Sequence, residues 1–462
     1  MSFSTLSIGV SALNAAQRAV ETAAHNVANS AVEGYTRQRL SVTAAPPGAG
    51  TAGMRGSGML GTGVTVVSID RLRSTLADVS VRSEAATAGS AGARAAVLDR
   101  SQGILGAYGS GLSQSLSNLF SAFSQLALTP SDAAARQLTL DAASRVAAGV
   151  RDAAQQLDQI RADALAGLQS SVTEVNASAV EIADLNKQIA DALVGGQAPN
   201  DLLDRRDLAL DRLAGLTGAT SRVRPDGMVD VSIGTETLVR GTGTTPLVLT
   251  QTPPPEGASG ADPVLTLDGR AVAAGGALGG GVGVMVSDLR QFETELDGVA
   301  SAVATAINDQ QTKGYDADGQ AGQALFVGTK ARDLAVAPDL GTRGLAASAT
   351  QVDGGSAYDG ENALALARLG DPDATGRSLN GRLIGLAATL GSRAASAARA
   401  ADTADAGLDG VQQQRSAANG VSVDEEMVDL VKFQHAYDAA ARVISIADDM
   451  LDTIIHGLGA GR

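Results

Sequence analysis

The chain has 462 residues, of which 44% are apolar but only 2% aromatic, with no Trp, no Cys and a net charge of −15. That length allows two to four domains, while the scarcity of large rings argues against an ordinary compact enzyme core. The missing cysteines exclude disulfides, thiolate metal sites and Cys nucleophiles. The negative balance excludes a basic surface for nucleic acid.

The first predicted element is a helix. Phe3, Leu6, Val10, Leu13, Gln17, Val20, Ala24 and Val27 alternate spacings of three and four, and seven of the eight are apolar. This is a narrow coiled-coil seam rather than the broad stripe of a buried globular helix. Residues 1–30 lack a basic leader followed by an unbroken apolar run, so no Sec-type signal is expected. "HNVANSAVEGYTRQRL" follows at 25–40, with Asn26, Asn29 and Gly34 suited to a chain elbow: Asn bonds local backbone where a helix stops, and Gly permits a positive φ. A Gly-rich connector is expected over residues 46–63.

Thr129-Pro130-Ser131-Asp132 predicts a helix start, opening a stretch to about residue 194. Leu168, Val172, Val175, Ala179, Ile182, Asn186, Ile189 and Leu193 keep one seam within it. Gly195-Gly196 and Pro199 end it. Asn200 or Asp201 is expected to cap the next helix, with Asp201 and Arg205 as an i,i+4 pair. Residues 217–280 change character. "MVDVSIGTETLVRG", "TPLVLT" and "PVLTLDG" read as short strands separated by turns, with a loop over 251–262 and a flexible return at "GGALGGGVG". A further helix is expected over 286–312 on Leu289, Phe292, Leu296, Val299, Val303 and Ala306, then loops over 314–360. Ser422 and Glu425 form a capping box, and Asp424, Glu425 and Glu426 face the positive end of the helix dipole. A second seam runs through Met427, Leu430, Gln434, Tyr437, Ala441, Ile444, Asp448, Leu451, Ile455 and Leu458. Residues 1–40 carry about +1 and residues 421–462 about −5, a mildly favourable balance for pairing the two ends.

Candidate chemistry is sparse. His25, His435 and His456 have no second ligand at metal spacing. "YDADGQAG" lacks the remaining ligands of a calcium loop and reads as an Asp-Gly turn. The glycines at 275–283 lack the Lys-Ser/Thr ending of a phosphate loop. No catalytic, cofactor or metal residue is expected, and the longest apolar runs are too short to span a membrane.

"SALNAAQRAVETAAHNVANSAVEGYTRQRL" resembles the N-terminal signature of bacterial flagellar axial proteins. Its continuation Gly34-Tyr35-Thr36-Arg37-Gln38 is similar to the members that join hook to filament rather than to rod or hook proteins. "GVSVDEEMVDLVKFQHAYDAAARVISIADDMLDTII" resembles the shared C-terminal ending. "SDAAARQLTL", "PNDLLDRRDLALDRL" and "TKGYDADGQAGQALF" resemble interior segments of the same members. The resemblance implies a mainly α fold with a β insert, in which the N- and C-terminal regions form a long coiled-coil bundle, the flagellin-like core. Its domains would be 1–45 with 420–462, poorly ordered in the monomer; 46–216 with 281–419, a helical core; and 217–280, a β-rich outer domain.

It further implies a structural, non-enzymatic flagellar component, exported by the flagellar type III apparatus and lying outside the cell at the hook–filament junction. Partners would be further copies in a ring, the hook protein, the second junction protein, and a cytosolic chaperone masking Met427, Leu430, Tyr437, Ile444 and Leu451. Nucleic acid and membrane insertion are not implied. Assembly contacts are expected between Phe3, Leu6, Val10, Leu13 and Val20 and Leu430, Tyr437, Ile444, Leu451 and Ile455, with Asn26, Asn29, Gly34, Tyr35 and Arg37 at the elbow. The alternatives are another axial component such as hook or distal rod protein, a flagellum-carried peptidoglycan hydrolase, or a surface adhesin using the insert.

Overall fold

A computed structural model gives the fold and describes residues 2–46, 61–254, 260–351, 359–372 and 378–459. Helix α1 (Ser2–Asn29) is followed by an antiparallel hairpin, β1 (Gln38–Ala44) with β2 (Val64–Arg71). Three helices come next: α2 (Thr75–Leu128), α3 (Ala133–Val194) and α4 (Asn200–Thr217). The insert holds β3 (Thr220–Val223), β4 (Val229–Ile233), β5 (Glu236–Arg240) and β6 (Gly243–Thr244) in one antiparallel sheet. A second sheet holds β7 (Leu247–Thr252), β8 (Asp262–Leu267) and β9 (Arg270–Ala271). Helix α5 (Gly276–Gly283) then runs through a π-helical turn, Val284–Leu289, directly into α6 (Arg290–Gln311). A small pair, β10 (Phe326–Val327) with β11 (Ala335–Val336), precedes α7 (Glu361–Arg368), α8 (Leu379–Asn419) and α9 (Val423–Gly459).

Three local expectations are corrected. "GGALGGGVG" is helical rather than a flexible return: its glycines let α5 press against backbone, and a Cβ on Gly280 would lie 2.2 Å from the Ser90 carbonyl oxygen. Asn200 and Asp201 do not cap α4, whose N-cap is Pro199 with no side-chain cap bond. Instead of closing a pair with Arg205, Asp201 Oδ1 accepts from Gln38 Nε2 at 3.1 Å. The Asp-Gly turn at 316–319 is as expected, with Asp316 Oδ1 accepting from the amides of Asp318 and Gln320.

The core sits among the long middle helices. Asp132 caps α3 by accepting from the Ala134 amide. The α3 seam buries Leu168, Val172, Val175, Ala179, Ile182, Asn186 and Ile189. Helices α2 and α8 lie along each other, with Leu383, Leu386 and Leu390 giving way to Ala394, Ala397, Ala401 and Ala404. Small side chains there let the two backbones approach closely. Asn186, the polar member of the α3 seam, grips the insert: its Nδ2 donates to the Val229 and Gly241 carbonyls, and its Oδ1 accepts from the Val229 amide. Buried Val229, Val231 and Ile233 alternate along β4, the period-two pattern of a sheet with one covered face.

The two chain ends form a separate arm. Helices α1 and α9 pack antiparallel, with Gly9 beside Ile444 at one end and Asn26 bonded to Glu426 at the other. The continuous apolar cluster of the molecule takes in no described residue of α1, β1, β2 or α9. The packed face of α1 is Gly9, Ala16, Ala19, Ala23 and Asn26, with Ala12 half-buried, one residue earlier than the seam through Val10, Leu13 and Val20. On α9 it is Glu426, Leu430, Phe433, Ala440, Ile444, Ala447 and Leu451. The small residues win the contact because a Cβ at position 9 would already sit 2.8 Å from Ile444. Val10 is left 42% exposed, and Met427 and Tyr437 are exposed as well.

Candidate functional site

The elbow is where the arm meets the helical core, and its centre is Asn26. This side chain is 1% exposed and makes four hydrogen bonds, its full complement of two donated and two accepted. Its Nδ2 donates to the Gln38 carbonyl and to Glu426 Oε2, both at 2.9 Å. Its Oδ1 accepts from the Tyr35 hydroxyl at 2.8 Å and the Gln38 amide at 3.0 Å. One amide thus joins the end of α1, the entry to β1 and the first turn of α9. Asn29 closes α1 locally by donating to the His25 carbonyl. Gly34 turns the chain at φ +79°, with Leu208 of α4 where a side chain would project. The His25 ring meets Tyr35 edge-on, 5.7 Å between centroids.

Arg37 ties the elbow to the other terminus. Its guanidinium donates to Glu425 at 2.8 Å, approaches Glu426 at 2.6 Å and lies 3.7 Å from Asp429. Its backbone amide donates to the Asn419 carbonyl, at the end of α8. Ser422 Oγ is 3.5 Å from the Glu425 amide, a long cap bond, so Glu425 and Glu426 do more than complement the helix dipole. They hold Arg37.

Beneath the elbow, α4 presents one acidic face. Asp201, Asp204, Asp207 and Asp211 recur every three or four residues, which aligns them on a helix. Asp204 accepts from the Thr36 amide at 3.0 Å and from Arg71 at 2.7 Å. Asp207 accepts from Arg71 at 3.0 Å, from Arg73, and from Arg82 at 3.3 Å. Asp211 accepts from Arg82 at 2.7 Å and from Arg415 of α8. Arg73 also pairs with Asp78 of α2 at 2.5 Å. Asn200 Nδ2 donates to Gln38 Oε1 and to the Ile69 carbonyl. Arg73, Arg415, Asp78, Asp207 and Asp211 line, with Tyr35, Thr36 and Asn419, a cavity of about 120 Å³. Burial pushes the Asp204 carboxyl above its ordinary value despite Arg71 and the Thr36 amide. Burial first, then the charges of Asp201, Asp204 and Glu426, push the Tyr35 phenol far up, so it remains the donor to Asn26. Deeper in α4, burial lowers Arg206 to about 10, leaving it charged at neutral pH beside Asn186 and the Gly227 carbonyl.

The structure therefore brings together Asn26, Tyr35 and Arg37, with Gly34 and Asn29 shaping the turn. Leu6, Leu13, Val20, Leu430, Ile444 and Leu451 are half-buried along the arm; Val10, Met427 and Tyr437 are exposed. The side chains of Phe3 and Ile455 lie outside those described. From sequence Glu426 is read only as a partner of the helix dipole, Gln38 only as part of the Gly34–Gln38 motif and Asp201 only as a cap or a partner of Arg205; Asn419 and the rest of the acidic row of α4 with its arginines are not assigned to the elbow. The acidic spacing in "PNDLLDRRDLALDRL" was the available signal. Among the described residues, no group of three His, Asp or Glu side chains is arranged to hold a metal ion, and no helix is long and apolar enough to cross a membrane.

The assemblage of polar elbow, paired terminal helices and long middle helices has a sequence counterpart in known proteins. The family described as "Flagellar hook-associated protein FlgK helical domain" matches residues 82–326, more than half of the chain. This chain belongs to the FlgK family. Its ends match more widely shared descriptions: "Flagella basal body rod protein" over residues 6–36 and "Flagellar basal body rod FlgEFG protein C-terminal" over 412–456. It is 28% identical to Flagellar hook-associated protein 1 of Bacillus subtilis, covering 97% of each chain. It is 31% identical to Flagellar hook-associated protein 1 of Salmonella typhimurium over 70% of this chain, but spans only 59% of that relative's length. The structure of the flagellar hook junction protein FlgK from Burkholderia pseudomallei shares the fold, with a TM-score of 0.61 at 18% identity, over 74% of this chain and all of that one. As an FlgK-family member the chain is a structural component of the bacterial flagellum.

Proposed function

We propose that this chain joins hook to filament as a ring of identical copies held through the arm, with the hook protein on one side and the second junction protein on the other. The observation that carries the reading is the elbow. Residues 400 positions apart, Asn26 and Glu426, are bonded at 2.9 Å, and Arg37 adds its ion pairs to the same turn of α9. Such a joint gives the arm one direction relative to the core, which a subunit needs if its inner helices are to align with those of its neighbours. The rod-type matches at both ends are shared with other axial proteins; the match over 82–326 favours the junction over hook or distal rod.

Export through the flagellar type III apparatus, with a cytosolic chaperone over the exposed apolar side of α9, belongs to this reading. So does a gain of order in the arm on assembly. In the single chain α1 and α9 already lie paired, which narrows that gain to covering what the pair leaves wet. With both helices already formed, circular dichroism should register little added helix on assembly, while hydrogen exchange along the wet side of the pair should slow. The functional test is complementation of a strain lacking this protein with chains deleted for residues 1–20 or 440–462. Hooks should form without filaments. Filaments growing on those hooks would end the proposal.

A further inference from the structure

The insert leaves one strand edge open beside a groove. Strand β3 ends its sheet, and all of its residues are exposed. It pairs with β4 without a bulge, so the edge lacks the twist that commonly protects such strands. The Arg224 amide donates across to the Met228 carbonyl. Ladder bonds of an antiparallel pair recur at every second residue, so Arg222 and Thr220 also direct their backbone groups at β4. The amides and carbonyls of Ser221 and Val223 point the other way, and among the described residues no other element meets them.

The two sides of this edge differ. Ser221 and Val223, opposite the buried Val231 and Val229, overhang the covered face of the sheet beside α2, where Arg82 Nη1 donates to Ser221 Oγ at 3.0 Å. A groove of about 760 Å³ lies there, lined by α2 from Val79 to Arg94 and by Ala397 and Ala400 of α8. Val79 is 63% exposed and Val223 69%, apolar surface left without a cover. The arginines of the groove are already held, Arg82 by Asp211 and Arg94 by Asp288.

The outer side carries Thr220, Arg222, Ser232, Thr237 and Arg240. Among the described residues neither Arg222 nor Arg240 forms an ion pair. Asp230, opposite Arg222 in register, accepts from the Gly241 amide at 2.8 Å and faces Arg224 at 3.6 Å.

An extended segment laid along β3 would take up the free backbone groups, and its side chains would alternate between the two sides. Those entering the groove are suited by being apolar; those beside Arg222 are suited by a carboxylate. We infer that the β3 edge docks an extended segment of a partner protein in which acidic and apolar residues alternate, added as a further strand to the four-stranded sheet. A second copy of β3 is a poor occupant, because two such edges would set arginine against arginine on one face. The inference concerns the insert and is independent of how the arm assembles.

The probe is a labelled hexapeptide of alternating Glu and Val, added to the full-length chain. A Lys–Val peptide and a Glu–Val peptide N-methylated at every residue are the controls. Saturable binding is expected, at least about tenfold weaker for either control, with slower hydrogen exchange at the Ser221 and Val223 amides. Val223→Pro removes an outward N–H that the β4 ladder does not use, so the sheet should persist and binding should be lost. Arg222→Glu should transfer the preference to the Lys–Val peptide. No saturable binding, equal binding of the N-methylated peptide, or unchanged exchange at Ser221 and Val223 would each overturn the inference. A dimer of the chain on sedimentation that Val223→Pro abolishes would also overturn it, and would give the edge to a second copy.

Discussion

At the residue scale, Asn26 is set apart by using both halves of its amide at once. Asp would replace the donor to Glu426 with a second carboxylate at about the same place, and Ala would leave the Gln38 amide, the Tyr35 hydroxyl and Glu426 each short of a partner in a buried spot. An orphaned buried group costs about 1–3 kcal/mol, so Asn26→Ala should open the elbow rather than unfold the core. Hydrogen exchange at the Gln38 amide, which donates to Asn26 Oδ1, reports this. Its protection should fall by at least about tenfold, the equivalent of 1.4 kcal/mol, and further in Asn26→Asp because like charges then face each other. Unchanged protection in both variants would mean that the Asn26 bonds do not hold the turn. The acids just past the cap of α9 teach a related lesson. A carboxylate in a first helical turn can be satisfied by the dipole alone, but Glu426 is buried and needs a cation, and Arg37 is the one supplied.

At the scale of elements, size settled which seam of α1 packs inward. A heptad pattern of Val and Leu reads as the contact face from sequence because apolar side chains are assumed to seek one another. The neighbouring Gly-Ala line allows a closer approach of the two helices, and the contact goes there. Gly9→Val should therefore prise apart the outer end of the pair, with loss of amide protection near Ile444, while Val10→Ser should leave the monomer pair intact. Equal effects of the two variants would refute the assignment of faces. The same chemistry hid α2 and α8. Their sequences are rich in Ala, Ser and Gly, and in α8 the apolar line passes from leucines to alanines, so no strong stripe announces them. The α3 seam was legible because Leu, Val and Ile mark it almost without break. The hairpin of β1 and β2 escaped because residues 46–63, rich in glycine, separate its strands. The elbow was half legible: Asn26, Thr36 and Arg37 stand in one short motif, but their partners Glu426, Asp204 and Asn419 are brought in only by the folded topology.

At the scale of the whole molecule, two bodies are joined by a polar seam. Among the described residues no apolar cluster runs across it; the crossing bonds include Thr36 to Asp204, Arg71 to Asp204 and Asp207, Arg73 to Asp207 and Asp78, Gln38 to Asp201, and the Asn200 and Asn419 bonds to backbone. A joint made this way holds its angle through directional bonds, yet it couples the stability of the two bodies weakly, because shared apolar burial is what makes unfolding cooperative over a distance. Calorimetry of the monomer should accordingly resolve an arm transition below that of the core. Asp207 accepts from three arginines and is the natural point to cut. Each of those arginines keeps a second carboxylate, Asp204, Asp78 or Asp211, so Asp207→Ala should cost less than the about 3–5 kcal/mol of fully breaking a buried pair. The loss should appear in the arm transition and in faster proteolysis near residues 30–37 and 72–74, with the core transition nearly unmoved. A single transition that shifts as a whole would mean that arm and core are one cooperative unit, and the weak coupling ascribed to the polar joint would have to be given up.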